Sequence, residues 1–145
     1  MPSMTHWLLV NSPENFERTR LRGFDVVGMK TRWRKAAAEV RAGDTVFYYL
    51  TGAMAIGGET RVTGQVYEAH DIIWPCSHVD EHYPWRLPTE LVTARPKDGY
   101  LPVRDFIQQY EYARKWPADH WTLAFQGNVH RLPEADYQLV HRLLG

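Results

Sequence analysis

The sequence predicts an α+β fold: a mixed β-barrel of five or six strands flanked by helices, built as a single domain over residues 1–145. Three observations predict it. A length of 145 residues suits one domain with one core. Runs of β-branched and aromatic residues with polar alternation recur along the chain. Helix-cap chemistry interrupts those runs, which fits α+β better than a doubly wound parallel sheet.

His6–Val10 reads as a buried first strand. Ser12 offers a helix N-cap, Pro13 suits the first turn and Glu14 favours the positive helix end. A helix therefore runs to about Leu21, and Gly23 stops it. Phe24–Met29 is a loop or short extended piece. Thr31 can cap a second helix reaching about Arg41, with Ala36, Ala37 and Val40 inward. Gly43-Asp44 then turns the chain into Thr45–Leu50, its most informative stretch. There Phe47 and Tyr49 share one face while Tyr48 takes the other. That pattern suits a strand with protein on one side and a ring-shaped cavity on the other.

Gly52–Gly58 reads as a hairpin region and Glu59–Ala69 as the next strand. Asp71–Pro84 is a long loop holding Trp74, Cys76 and Tyr83. Trp85–Ala94 forms a strand that Pro88 restricts to an edge or a bulge. Asp98-Gly99 is a turn, Val103–Gln109 a short helix and Trp121–Phe125 a last strand. Pro133 opens a terminal helix whose Ala135, Leu139, Val140, Leu143 and Leu144 make one apolar face, packed outside the barrel.

Six Trp, eight Tyr and five Phe are many for a chain this short, and point to an unusual core or a platform for flat ligands. The formal net charge of zero weighs against nonspecific coating of long duplexes. The charge is uneven, however: from Arg18 to Arg41 there are eight basic residues against two acidic ones. That stretch is either a solvated helix face or a patch that touches a few phosphates. No apolar run is long enough to span a bilayer and no leader opens the chain, so a cytoplasmic location is expected.

Cys76, His78 and His82 form a Cys-x-His-x3-His cluster beside His70, Asp71, Asp80 and Glu81. All lie in one loop rather than in two separated knuckles, so a solvated polar loop is expected and no metal or other cofactor. Cys76 lacks an identifiable acid partner and is not read as a nucleophile. The glycines at 52, 57 and 58 lack the Lys-Ser or Lys-Thr of a phosphate loop. Gly28 is either a plain turn residue or a position that lets a ligand reach the backbone. Trp7, Phe47 and Trp121 belong to strands and to the core. Trp74, Tyr83 and Trp85 flank a loop and are the better candidates for an aromatic cage.

His6-Trp7-Leu8-Leu9-Val10-Asn11, Pro13-Glu14-Asn15-Phe16, Val27-Gly28-Met29, the Val40–Tyr49 stretch with its Gly43-Asp44 turn, Trp121–Gly127 and Arg131–Tyr137 follow one another in the order of a known family. In these segments the chain resembles the EVE domain family of the PUA-like superfamily, which includes the YTH domains. The resemblance implies a PUA-like barrel with a pocket between the first helices and the barrel edge. In the relatives such pockets hold modified bases, a methylated adenine or a modified cytosine. Carried over, the pocket would use Asn11, Ser12, Val27, Gly28, Met29, Lys30, Trp33, Tyr48, Tyr49, Leu50, Trp74 and Trp85. Where the superfamily commonly carries an aromatic this chain has Val27, so Trp33 or Trp74 would supply that wall.

The function expected is noncatalytic binding of a modified nucleobase flipped from DNA or RNA. The base would lose a few kcal/mol of stacking and pairing and regain about 1–3 kcal/mol per aromatic ring. Lys30, Arg32 and Arg34 would hold flanking phosphates. An RNA-binding module reading shape, and an enzyme acting on a small nucleotide, are the alternatives; for the latter no titratable pair stands at a persuasive spacing.

Overall fold

The computed structural model describes residues 4–75, 82–115, 125 and 129–145. Its sheet runs through β1 (His6–Asn11), β2 (Val26–Met29), β3 (Thr45–Leu50), β4 (Ala55–Val62), β6 (Trp85–Ala94) and β8 (Val129–Leu132), in the spatial order β2-β6-β4-β3-β1-β8. Two-residue strands β5 (Tyr67–Glu68) and β7 (Leu101–Pro102) add to β6 and β4. The main path thus has six strands, and β2 and β8 stand at its two ends, so the sheet is a curled half-barrel. Pairing is antiparallel except between β1 and β3, which run parallel with His6 opposite Thr45.

Helix α1 (Pro13–Leu21) begins where the Ser12 hydroxyl accepts the Asn15 N–H at 3.1 Å, and it stops at Gly23, whose φ is +73°. The second expected helix splits into a 3-10 turn, Thr31–Trp33, and α2 (Arg34–Glu39), and Thr31 does not cap it. Of the two readings of Phe24–Met29 the extended one holds, since residues 26–29 are β2. Asp44 gives its turn a specific job: its carboxylate accepts the N–H groups of Thr5, Arg41 and the Trp7 indole, each at 3.0 Å. Trp7 is thereby fixed in the core beside β3.

Strand β3 alternates as expected, but both of its faces are covered by protein. Val46, Tyr48 and Leu50 join Trp7, Leu9, Phe16, Val27, Met29 and Leu87 in a core around which the sheet curls. Phe47 and Tyr49 join Leu8, Phe106, Tyr110 and Leu139 on the other face. Helix α1 reaches the first core because Gly57 of β4 leaves room for it; a Cβ there would lie 2.7 Å from the Phe16 ring.

Helix α3 (Glu134–Leu144) packs on the second core through Tyr137, Leu139, Val140 and Leu144. Its first inward residue is Asp136 rather than Ala135, which is exposed. Asp136 turns in because its carboxylate accepts the N–H groups of Glu111 and Tyr112 at 2.7 and 2.9 Å. Val103–Gln109 forms two 3-10 turns, and the strand expected over 59–69 ends at Val62. Of Trp121–Phe125 only Phe125 is described, buried against Tyr49 with ring centroids 4.2 Å apart. Pro88 sits where β6 leaves β2 (Val26 opposite Pro88) and takes up β4 (Val62 opposite Thr89). Among the described residues no helix is long and apolar enough to cross a membrane.

Candidate functional site

The end of β2 and the start of β6 pair with Gly28 opposite Arg86 and Met29 opposite Trp85. The space a side chain would take at position 28 does not open as a pocket. It is filled: a Cβ there would lie 2.5 Å from Trp74 Cζ3, 2.8 Å from Tyr83 Cβ and 2.9 Å from the Tyr83 carbonyl oxygen. Only glycine allows this approach. Trp74 is buried at 4 % exposure and its indole N–H donates to Thr19 Oγ1 of α1 at 2.8 Å. Tyr83 packs edge-on against Trp74, with centroids 5.9 Å apart, and holds a φ of +55°.

Arg86 fixes the loop that carries these rings. It is buried at 2 % exposure and donates to Asp71 Oδ1 at 2.6 Å, to the Asp71 carbonyl and to the Tyr83 carbonyl at 3.2 Å. Its guanidinium also lies 5.5 Å from the Trp74 ring centre. The Arg86 hydrogen bond holds the Asp71 carboxyl below its ordinary pKa. The Ala69 N–H bonds the Pro84 carbonyl at 2.9 Å and closes the base of the loop.

Around this base stand cations that face aromatic rings. Lys30 Nζ is 5.6 Å from the Tyr83 ring centre, the Arg32 guanidinium 5.5 Å from Trp33 and the Arg34 guanidinium 5.8 Å from Trp85. The basic stretch is divided in its employment. Arg20 pairs with Glu17 at 2.7 Å and Arg22 with Asp25 at 3.2 Å, whereas Lys30, Arg32, Arg34 and Lys35 meet no carboxylate among the described residues. Two buried nitrogens where the loop meets β6, His82 Nδ1 and Trp85 Nε1, have no hydrogen-bond partner among the described residues.

The contacts link Gly28 with Trp74 and Tyr83, Lys30 with Tyr83, Arg34 with Trp85 and Arg86 with Trp74, so these residues cluster at the end of β2 and the start of β6; Arg32 contacts Trp33, its neighbour in the 3-10 turn. Val27 and Met29 themselves point into the core. Tyr48 is fully buried, its hydroxyl 3.1 Å from Thr60 Oγ1 and its pKa pushed well up by burial. Leu50 shares that core, while Tyr49 lies on the opposite face of the sheet, stacked on Phe125, and burial raises its pKa too. Ser12 spends its hydroxyl on the α1 cap. Asn11 ends β1 paired with Leu50, half-buried, with its backbone carbonyl accepting the Thr51 N–H at 2.9 Å.

Sequence reasoning missed Arg86 and Thr19. An arginine between Trp85 and Leu87 in a strand reads as a solvated position, and nothing local says that a loop will wrap over it. Cys76, His78, Asp80 and Glu81 lie outside the described residues. Among the described residues no three His, Cys, Asp or Glu side chains converge as a metal set; His70 contacts Glu68 at 2.7 Å at the surface. A separate depression of about 410 Å³ is lined by Ala53, Met54, Pro102, Arg104 and Asp105. It has no aromatic wall and does not suit a flat ligand.

Comparison with known proteins gives a consistent picture. A family model for the EVE domain matches residues 5–143. UPF0310 protein PH1033 of Pyrococcus horikoshii is 25% identical over 153 residues, covering 97% of this chain and 99% of that protein. The YTH domain of the Zygosaccharomyces rouxii MRB1 protein, solved in complex with N6-methyladenosine RNA, superposes with a TM-score of 0.71 at 11% identity, covering 99% of this chain and 88% of that one. Human THYN1, solved in complex with 5-methylcytosine-containing DNA, gives a TM-score of 0.61 at 16% identity, with 96% of each chain covered.

Proposed function

The chain belongs to the EVE domain family of PUA-like folds, and from that premise we propose that it binds a modified nucleobase of DNA or RNA at the cationic and aromatic surface around Lys30, Arg34, Tyr83 and Trp85, without transforming it. The observation that carries this reading is the set of cations seated on aromatic rings without carboxylate partners among the described residues: Lys30 on Tyr83, Arg32 on Trp33 and Arg34 on Trp85. Rings supply a stacking surface for a flat base, and cations at their rim suit the phosphates on either side of it.

Lys30, Arg32 and Arg34 take the phosphates in this reading, while Trp33, Tyr83 and Trp85 take the base. Trp74 is the floor: its ring fills the Gly28 side of β2, the face opposite Val27. Asn11 offers its amide as a reader of the polar edge. Asp71, the carboxylate that the contacts bring to this loop, is committed to Arg86, which fits binding better than acid–base chemistry. Relatives solved with methylated DNA and with methylated RNA support the class of ligand.

The test is a titration of short single-stranded oligonucleotides, each carrying one 5-methylcytosine or one N6-methyladenine, against unmodified strands of the same sequence. A preference of at least fivefold for a modified strand, with a shallow salt dependence, is the expected result. Equal binding of all strands with a steep salt slope would favour a module that reads only backbone and shape.

A further inference from the structure

Among the described residues three that are not glycine hold a positive φ: Phe24, Met54 and Tyr83. Phe24 is buried in the core and Met54 carries no ring, so Tyr83, at φ +55°, is the one that brings an aromatic to the surface, half-buried. A bulky residue is strained in that left-handed conformation. Such strain persists only where the surroundings hold it, and it gathers at ligand sites. Here the holding groups can be named. Gly28 clears the space in which Tyr83 Cβ and the Tyr83 carbonyl sit, since a Cβ at position 28 would lie 2.8 and 2.9 Å from them. Arg86 Nε donates to the same carbonyl at 3.2 Å. The rest of that guanidinium is anchored on the Asp71 carboxylate at 2.6 Å and on the Asp71 carbonyl. So held, the Tyr83 ring stands edge-on to Trp74 and meets Lys30 Nζ at 5.6 Å.

We propose that Arg86 is the positioning residue of the base site: through the Tyr83 carbonyl it keeps the Tyr83 ring presented for stacking before any base arrives. The inference rests on the base-binding reading and deepens it by naming the ring that receives the base and the side chain that sets that ring. Arg86 is itself 2 % exposed, so it acts through Tyr83 and not by touching the ligand. Its planar fork sends donors to three acceptors in fixed directions, which the point charge of a lysine does not reproduce. Trp74, at 4 % exposure, is too deep to receive a base and serves as the surface against which Tyr83 is braced. A ring fixed in advance loses little freedom when the base arrives, so more of the stacking free energy appears as affinity.

The experiment uses the whole chain and two probes, single-stranded DNA with one central 5-methylcytosine and single-stranded RNA with one central N6-methyladenine. Tyr83→Gly removes the ring and takes the left-handed backbone without strain, while Arg86→Lys keeps the charge and loses the fork. Each is expected to lower affinity for the better probe at least tenfold. The double variant should lose no more than twofold beyond Tyr83→Gly alone, because a positioning residue has nothing to act on once its ring is gone. In the unmutated protein the Tyr83 ring resonances should move upfield on titration as a base stacks on them. Where Arg86→Lys does not fold, Asp71→Asn takes its place in the same cycle, with at least a threefold loss that again disappears in the Tyr83→Gly background. Losses that multiply in the double variant would overturn the inference by assigning Arg86 to the fold, and would leave base binding intact. Arg86→Lys binding within twofold of the unmutated protein, or Tyr83 resonances that stay in place at saturation, would do the same. If the unmutated protein binds neither probe, base reading fails as a whole and this role fails with it.

Discussion

The buried guanidinium of Arg86 grips Asp71 Oδ1 at 2.6 Å while also taking the Tyr83 carbonyl at 3.2 Å. One side chain of β6 thus holds both ends of the loop that carries Trp74. Asp71→Ala removes the counter-charge of Arg86, but the Asp71 carboxylate is exposed to solvent and Arg86 keeps the Asp71 and Tyr83 carbonyls, so the protein should lose no more than about 1 kcal/mol, measured by urea unfolding. The effect has a pH signature. Arg86 lowers the folded-state pKa of Asp71 beneath its ordinary 3.8, so its contribution is present above that value and is lost as pH falls through the folded pKa. Tryptophan fluorescence should therefore report loosening of the loop below pH 3.8, and the Asp71→Ala protein should lack that transition.

Gly28→Ala should cost about 1–3 kcal/mol, since its Cβ collides with a tryptophan ring and a backbone carbonyl that cannot both retreat. Near-UV circular dichroism should change with it, because Trp74 is the ring displaced. An alanine variant with unaltered stability and spectrum would show that the loop is not seated on Gly28.

Tyr48→Phe separates core from site. It removes a buried hydroxyl bonded to Thr60, so stability should fall by about 0.5–1.5 kcal/mol. Binding of a modified-base oligonucleotide should be unchanged, because Phe16 and Phe24 pack on the Tyr48 ring, with centroids 5.3 and 6.4 Å away. A tenfold loss of affinity would place Tyr48 in the pocket after all.

Arg34→Ala should weaken oligonucleotide binding and lower the slope of log affinity against log salt by about one, as for one phosphate contact. Binding of the free modified nucleoside should change little. Equal losses for both ligands would mean that Arg34 serves the base through Trp85 rather than the backbone.

Much of the fold was legible in the residues. Ser12 and Pro13 set the start of α1, and Gly43-Asp44 sets the turn into β3, because caps and turns are decided within a few residues. The alternation of Phe47, Tyr48 and Tyr49 was equally readable. What covers each face was not, since α1 and α3 arrive from distant parts of the chain. That is why Tyr48 and Tyr49, plausible cage walls by type, are core residues. The candidate site was half visible: Gly28 and the loop tryptophans stood out, but Trp74 is seated by Thr19 and Arg86, whose partnerships no local pattern announces.

Strand β1 lies between β3 and β8, with His6 opposite both Thr45 and Leu132. β1 is therefore flanked by a strand more than 110 residues further along the chain, and the ring of His6 stacks on Tyr137 of α3 at 3.7 Å. Until residues 129–132 arrive, one side of β1 has no neighbour, and a growing or refolding chain carries β1 and β3 without their closing strand. Such long-range closure makes for slow folding and leaves hydrophobic strands open to chaperones while the polypeptide grows.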